Sequence, residues 1–596
     1  MRYKWLRITF YSLGILLLLS YFYFFLPVWG IPFNAQRHGN PPLTPAWALE
    51  CWLWEDDVNT AEYVDELLAG YKAYDIPVRT ILLDSPWSLR YNDFTVDTIR
   101  YPDPKVWFRH LEEEGYRVVL WMTSMVNSYS KDTQIKEDMD WFDRATERGF
   151  LAKPPTPLEW WKGKGGFIDY YNPKAMDWWH GLQQNVFDLG IDGWKLDGTA
   201  TLFRQQWGPI PFFYKRTTKG ITSTRSYMDR YYRDEYNHGL SQNSDFVTLS
   251  RSMDRGFHPE GFAPIDASPV NWVGDQKHEW VTDEMIQNSG ESNKDIALEG
   301  IQGFESAIKS ILKSAELGYN VVGSDVAGFS GRTIPPRLYI RWAQFSSFCG
   351  LFLNGGHGER RLWKRSAQEL EIIRKYAWLH TELVPYMYHY VVTAHEGGRR
   401  LQTPLKEGKY HYMFGDDFLI APIYRDDKNR QISLPEGEWR YFFGDKGILQ
   451  GPRLVDMEFS LDEFPVFIKE GAIVPLKVKR GYTGLGDNTS DGFITILIYP
   501  DIQNSFVYYH PVTAKETRIS YIREASVLKV GLEGAKIPHI LRIHSPIPPE
   551  GIVLDGLKLS SDSWNYDKDQ EKIIIKTDSD YKTGNYSVIF QSQDLK

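Results

Sequence analysis

The sequence predicts an α/β protein: a (β/α)8 TIM barrel followed by two small β-sandwich domains, with an N-terminal transmembrane helix. Three observations lead there. Eight short apolar runs alternate with helix-like segments over about 350 residues between Pro45 and His395, the count of a barrel of βα units with insertions. Polar residues recur where those runs end: Asp84, Asp197, Arg251, Asp275, Asp325 and His357. Beyond His395 the texture changes to short alternating segments broken by Gly, Pro and Asp, the pattern of small β domains.

Composition narrows the function classes. The 596 residues carry a net charge of -9 with the charges interspersed, so no nucleic-acid partner is expected. Aromatic residues make up 15% of the chain, with 22 Trp, and flat rings suit sugars as partners. Cys51 and Cys349 are too few for a disulfide framework. No metal or cofactor is expected: His278 and Glu279 in KHEW lack a second His at helical spacing and read as a solvated loop, and Glu112 to Glu114 in LEEEGY read as a solvated helix end.

At the amino terminus, Arg2, Lys4 and Arg7 precede an apolar run from Ile8 to Gly30, and charge returns only at Arg37. As a helix the run would span about 34 Å, enough for a hydrocarbon core of about 30 Å. The positive flank places the amino end inside, so residues 8–30 are expected to anchor the chain in a membrane with the rest periplasmic or extracellular. The alternative is secretion after cleavage of a signal peptide, although the run is longer and bulkier than such an apolar region. The domain expectation is 1–35 for this segment, 36–398 for the barrel, and 399–480 and 481–596 for the β domains.

The elements follow in order. Trp47 to Trp54 reads as a strand and Thr60 to Tyr74 as a helix capped by Thr60. Val78 to Leu83 is a buried strand ending at Asp84 with Trp87 just beyond; Pro104 to Glu114 is helical; Tyr116 to Met122 is the third strand. A helix from Pro173 to Leu189 stops at Gly190 and leads into IDGWKLDGTA, where Lys195 and Asp197, two apart on a strand, share one face. That decapeptide alone fits either a site of chemistry or a structural ion pair. Phe246 to Ser250 ends at Arg251, Val270 to Val273 at Asp275 and Tyr319 to Gly323 at Asp325; Phe348 to Leu353 has His357 beyond it. A helix from Ala367 to His395 closes the series, while Thr201 to Asn243 and Asp254 to Ala267 read as insertions. The first β domain extends to about Leu476, and the second begins after a Gly-rich stretch, Gly481 to Gly492. Chance would scatter the polar residues without regard to strand polarity, whereas barrel chemistry sits at the carboxyl ends of strands.

The motifs ILLDSPW, YPDPKVWFRHLEEEGYRVVLW, DGWKLDGTA, LSRS, NWVGD, GSDVAGF, NGGHGERRLW, ELVPYMY, FGDDFLIAPI, ISLPEGEWRYFF and FPVFIKEGAIVP occur in that order. From Pro45 to Pro500 the chain thereby resembles glycoside hydrolase family 31, the retaining α-glycosidases, among them α-glucosidases, α-xylosidases and α-galactosidases. The resemblance implies hydrolysis of terminal α-linked sugars of oligo- or polysaccharide through a covalent glycosyl-aspartate. It implies Asp197 as nucleophile and Asp275 as acid/base, with Asp84, Trp87, Lys195, Arg251, Trp272, Asp325 and His357 contacting the sugar. Retention needs two carboxyls about 5 to 5.5 Å apart. Lys195 would keep Asp197 ionised, and Asp275 would have to carry a proton. Trp52, Trp54, Trp87 and Trp272, near strand ends, are expected to converge on the pocket mouth.

Departures from the family pattern bear on specificity more than on reaction type. Members usually carry a β-sandwich before the barrel, where here Ile31 to Pro45 separates the apolar run from the first strand, so a more open pocket is expected. Ala200 stands where many members have Glu, and Arg251 and Asp275 are farther apart than is usual. An α-galactosidase of a related barrel clan also uses a Lys-x-Asp strand but would not match the run from FLIAPI to GAIVP; a catalytically silent carbohydrate-binding relative would be expected to have lost a carboxylate, and both are present.

Overall fold

The computed structural model describes all residues except 1, 23–38, 154–156, 198–204, 208–209, 213, 254–262, 289–301, 332, 445–446, 514, 579 and 592–596. At the amino end, α1 (Arg2–Ser20) exposes apolar side chains on all sides, including Trp5, Phe10, Leu13 and Leu17. Among the described residues no helix is long and apolar enough to cross a membrane, so the expected transmembrane helix over 8–30 is not found. Arg2, Lys4 and Arg7 occupy the first turns, and the apolar part from Ile8 to Ser20 reaches only about 20 Å. Residues 23–30 of the run lie outside the described residues.

The barrel strands are β1 (Trp52–Trp54), β2 (Thr80–Leu83), β3 (Arg117–Met122), β4 (Gly193–Leu196), β5 (Val247–Arg251), β6 (Val270–Trp272), β7 (Val322–Gly323) and β8 (Leu353–Asn354). They pair in parallel in sequence order, and β1 returns to β8 through Trp52 opposite Leu353. The last seam closes through a parallel bridge between Asp325 and Leu353, with Val326 N–H donating to Leu353 O at 2.8 Å. Closure removes every edge and directs all eight carboxyl ends to one face.

The crossover helices are α2 (Ala61–Ala73), α3 (Pro104–Glu113), α4 (Pro173–Phe187), α5 (Thr224–Gln242), α6 (Phe304–Leu317) and α7 (Pro336–Ser346), with α8 (Ala367–Glu382) and α9 (Val384–His395) following β8. Thr60 caps α2 by accepting from Tyr63 N–H, as expected, and Ser366 and Glu369 form a capping box on α8. The expected helix over 367–395 is divided at Leu383 because Pro385 supplies no N–H to continue the ladder. At the first strand, Ala46–Leu49 is a 3-10 turn, and the paired strand is confined to Trp52–Trp54.

Two excursions differ from the expectation. After β3 the chain forms a three-stranded antiparallel sheet, Met125–Ser130, Gly163–Phe167 and Leu158–Trp160, with a helix at Met139–Glu147. Gly163 is required there, because a Cβ would lie 1.9 Å from Tyr129 O at a φ of +137°. The rear half of the expected insertion 201–243 is α5 itself, which turns Tyr227, Tyr231, Tyr232 and Glu235 inward. Residues 254–262 of the second insertion, and Ala200, lie outside the described residues.

Beyond α9, strands between Gln402 and Lys469 form one six-stranded sheet rather than a sandwich. Arg341 on α7, itself buried, locks it to the barrel by donating to the carbonyls of Phe459, Ser460 and Glu463. The distal unit has a five-stranded and a six-stranded sheet. Ile473–Leu476 pairs with Ile494–Ile498 in the former, so the distal unit begins before the Gly-rich stretch 481–492.

Candidate active site

Alternation along β4 decides what enters the barrel mouth. Trp194 points out against Phe94, Phe187 and Phe246, and Lys195 points in. Lys195 Nζ donates to Asp84 Oδ2 at 2.6 Å and lies 4.1 Å from the ring centre of Trp54 and 5.3 Å from that of Trp272. Burial works against its charge, but Asp84, Asp197 and Asp325 outweigh that and raise its pKa above the usual lysine value, so it stays an ammonium.

Asp197 follows β4 directly. Its Oδ2 accepts from Trp121 Nε1 at 3.0 Å, and its Oδ1 from Arg251 Nε at 3.0 Å and Nη2 at 2.9 Å. Burial would raise its pKa; Arg251, Lys195 and the two hydrogen-bond donors reverse this and bring it to about 2. Arg251, at the end of β5, also reaches Asp275, with Nη2 at 3.0 and 2.9 Å from its two oxygens. One nitrogen thus lies 2.9 Å from an oxygen of each carboxylate, so those two oxygens are at most about 5.8 Å apart.

The chain presents Asp275 through a strained turn. Gly274 has a φ of +25° and a Cβ there would meet Trp272 Nε1 at 2.1 Å, while Asp275 itself sits at +66°. Asp275 N–H donates to Asp325 Oδ2 at 3.3 Å. Asp325, just beyond β7, is pushed up to about 6 by burial against the pull of Lys195, with Asp275 adding to the rise.

Six of the nine expected residues therefore form one cluster: Asp84, Lys195, Asp197, Arg251, Asp275 and Asp325. Trp272 joins it from behind, 4.5 Å from the guanidinium of Arg251 and 0% exposed. A ring without accessible surface cannot stack on a sugar; it braces the two cations. Trp87 is likewise buried, donating Nε1 to Trp121 O at 2.7 Å and packing on Phe94, so it supports β3 and not the pocket mouth. Trp52 stacks on Trp47 and donates to Ala48 O, and Trp54 stacks on Phe329 beneath Lys195. None of the four rings forms the expected aromatic rim, because each is turned toward a cation or into the core.

His357 lies across the mouth, held by Asp57 at 2.6 Å through Nδ1 and by Asp56 at 3.2 Å through Nε2. Asp56 is pushed up to about 7, by burial and by Asp84, against His357, Lys195 and Lys162. Asp56, Asp57 and Trp121 were not among the expected binding residues, although WLWEDD and YRVVLW place them where β1 and β3 end. His278 is buried instead of solvated, its Nδ1 2.7 Å from Ala327 O, and burial lowers its pKa to about 4. Glu114 is surface-exposed and pairs with Lys72, as a helix end would. Among the described residues no His, Cys, Asp and Glu group is arranged to hold a metal.

Residues 41–390 match the model of the Glycosyl hydrolases family 31 TIM-barrel domain, and 390–474 that of the Glycosyl hydrolase family 31 C-terminal domain. Similar curated proteins include alpha-glucosidase 2 of Bacillus thermoamyloliquefaciens, 26% identical over 79% of this chain and 59% of its own. An isomaltosyltransferase of Sporosarcina globispora is 24% identical over 91% of this chain and 53% of its own, and an alpha-xylosidase of Emericella nidulans 26% over 74% and 54%. The chain spans little more than half the length of these relatives. A GH31 dextranase of Flavobacterium johnsoniae, solved with glucose, shares the fold at a TM-score of 0.76 and 20% identity, over 92% of this chain and 71% of its own. With the barrel model alone matching more than half of its length, the chain belongs to glycoside hydrolase family 31.

Proposed function

We propose that the protein is a retaining α-glycosidase that hydrolyses terminal α-linked sugars of oligo- or polysaccharide, with Asp197 as nucleophile and Asp275 as acid/base. The observation that carries this reading is the single Arg251 nitrogen shared by both carboxylates, which keeps their nearest oxygens within about 5.8 Å. A retaining pair needs roughly 5 to 5.5 Å, whereas an inverting pair needs about 6.5 to 9.5 Å to admit a water.

The division of labour follows from the surroundings. Asp197, held ionised, attacks the anomeric carbon. A sugar seated between the carboxylates parts Asp275 from Arg251, and Asp275 then carries the proton given to the leaving oxygen. Water, relieved of a proton by Asp275, releases the sugar from Asp197 with its α configuration restored. Similar proteins are named as glucosidase, xylosidase and isomaltosyltransferase, so the sugar is sought with a panel of aryl α-glycosides. An NMR time course on the substrate that turns over should show the α-anomer first; β-anomer first would overturn the pairing.

The location we propose is the periplasmic or outer side of a membrane, with residues 8–30 as anchor. Support comes from the flank of Arg2, Lys4 and Arg7 and from the apolar surface all round α1. Protease added to spheroplasts or intact cells should digest the barrel, and a mature chain starting after residue 30 would show a cleaved signal instead.

A further inference from the structure

The tryptophan excess finds a different outlet from the expected rim. Among the described residues the exposed tryptophans are Trp5 on α1 and Trp161, which is 45% exposed. Trp161 occupies the turn between Leu158–Trp160 and Gly163–Phe167, in the excursion after β3. A ladder of rings links it to the carboxylates. Its ring centre is 5.2 Å from that of Trp160; Trp160 lies parallel to Trp121 at 6.5 Å; and Trp121 Nε1 is the 3.0 Å donor to Asp197. Tyr91 packs edge-on against both Trp121 and Trp160.

The bonds on either side of Trp161 fix the turn that carries it. Lys162 Nζ donates to Asp132 Oδ2 at 2.8 Å, Lys131 N–H to Lys162 O at 3.0 Å, and Trp160 Nε1 to Asn127 Oδ1 at 3.0 Å. The excursion leaves the barrel at the carboxyl end of β3, and Asp132 takes both Lys162 and the Tyr91 hydroxyl, which puts the turn on the mouth face of the barrel. Buried Lys195, Trp54 and Trp272 close the floor between the carboxylates, so a sugar chain seated there can continue only outward. A half-exposed indole on a fixed turn at the mouth face is what an aromatic sugar platform requires.

We propose that Trp161 is a stacking platform for a neutral sugar on the leaving-group side of the cleaved bond, one or two units beyond the reacting sugar. Trp161 thereby favours oligosaccharides over substrates with small leaving groups. This rests on the glycosidase reading of Asp197 and Asp275.

The test compares wild type, Trp161→Ala and Trp161→Phe on α-glucosyl, α-xylosyl and α-galactosyl fluorides, whose leaving group cannot reach the ring, and on malto- and isomalto-oligosaccharides of two to four units. Trp161→Ala should lose about tenfold in kcat/KM on the longer oligosaccharides, mostly through KM, and far less on the fluoride. Trp161→Phe should recover most of the loss. If wild type cleaves a fluoride and Trp161→Ala keeps the wild-type dependence on chain length, the platform is refuted and the glycosidase reading stands. Failure of wild type on every fluoride would refute the reading and the platform with it. Near-ultraviolet circular dichroism confirms that both variants are folded.

Discussion

Asp197→Ala is expected to lower turnover by several orders of magnitude on every substrate, while Asp275→Ala should spare the first step for substrates with good leaving groups. The asymmetry follows from the two roles. Without the Asp197 carboxylate no glycosyl ester can form, whatever the leaving group. Asp275 contributes a proton to the leaving oxygen, and an activated phenolate or fluoride departs without one. With Asp275→Ala and an activated aryl glycoside, a pre-steady-state burst should therefore appear, since glycosylation survives and the release step lacks its base. Arg251 retains one carboxylate partner in either variant, so neither substitution strands an unpaired buried guanidinium. Equal losses for both variants across a series of leaving groups would sink the assignment.

Much of this site was legible because a barrel turns sequence order into geometry. Asp84, Asp197, Arg251, Asp275 and Asp325 each follow an apolar run, and parallel pairing carries all of them to one face. What ring packing decides was not legible. Trp272 and Trp54 lie near strand ends as expected, but sequence spacing does not say whether an indole faces sugar or cation, and here both lie against Lys195. The eighth strand was placed too early for a similar reason. Phe348 is apolar because it packs on Phe414 and Phe418 of the following sheet and on Phe464 in a loop of it, and extended pairing is confined to Leu353 and Asn354. The excursion after β3 had no periodic signal, since its register depends on glycines such as Gly163 admitting a neighbouring backbone. It holds Trp161, which composition hinted at only through the overall count of tryptophans.

Arg251, expected to contact the sugar, also ties the two carboxylates together. Arg251→Gln should therefore do two separable things. It removes the strongest opposition to the burial of Asp197, so the Asp197 pKa rises from about 2. The nucleophile must be ionised, so the acid limb of the kcat/KM profile should move to higher pH, with the deficit greatest in acid and shrinking as pH rises past the new pKa. It also removes the two nitrogens that orient Asp197, and the plateau should fall by about 10²- to 10³-fold, the scale of losing a preorganised donor. Arg251→Lys separates the effects. Its ammonium preserves charge beside Asp197 and should keep the acid limb low, but a point charge cannot present the two nitrogens that now contact Asp197, one of them shared with Asp275. The lowered plateau should thus remain. The profiles are best measured with a glycosyl fluoride, for which protonation of the leaving group does not mask the nucleophile. An Arg251→Gln profile that keeps both the wild-type acid limb and the wild-type plateau would show that the shared contact governs neither ionisation nor alignment of the pair.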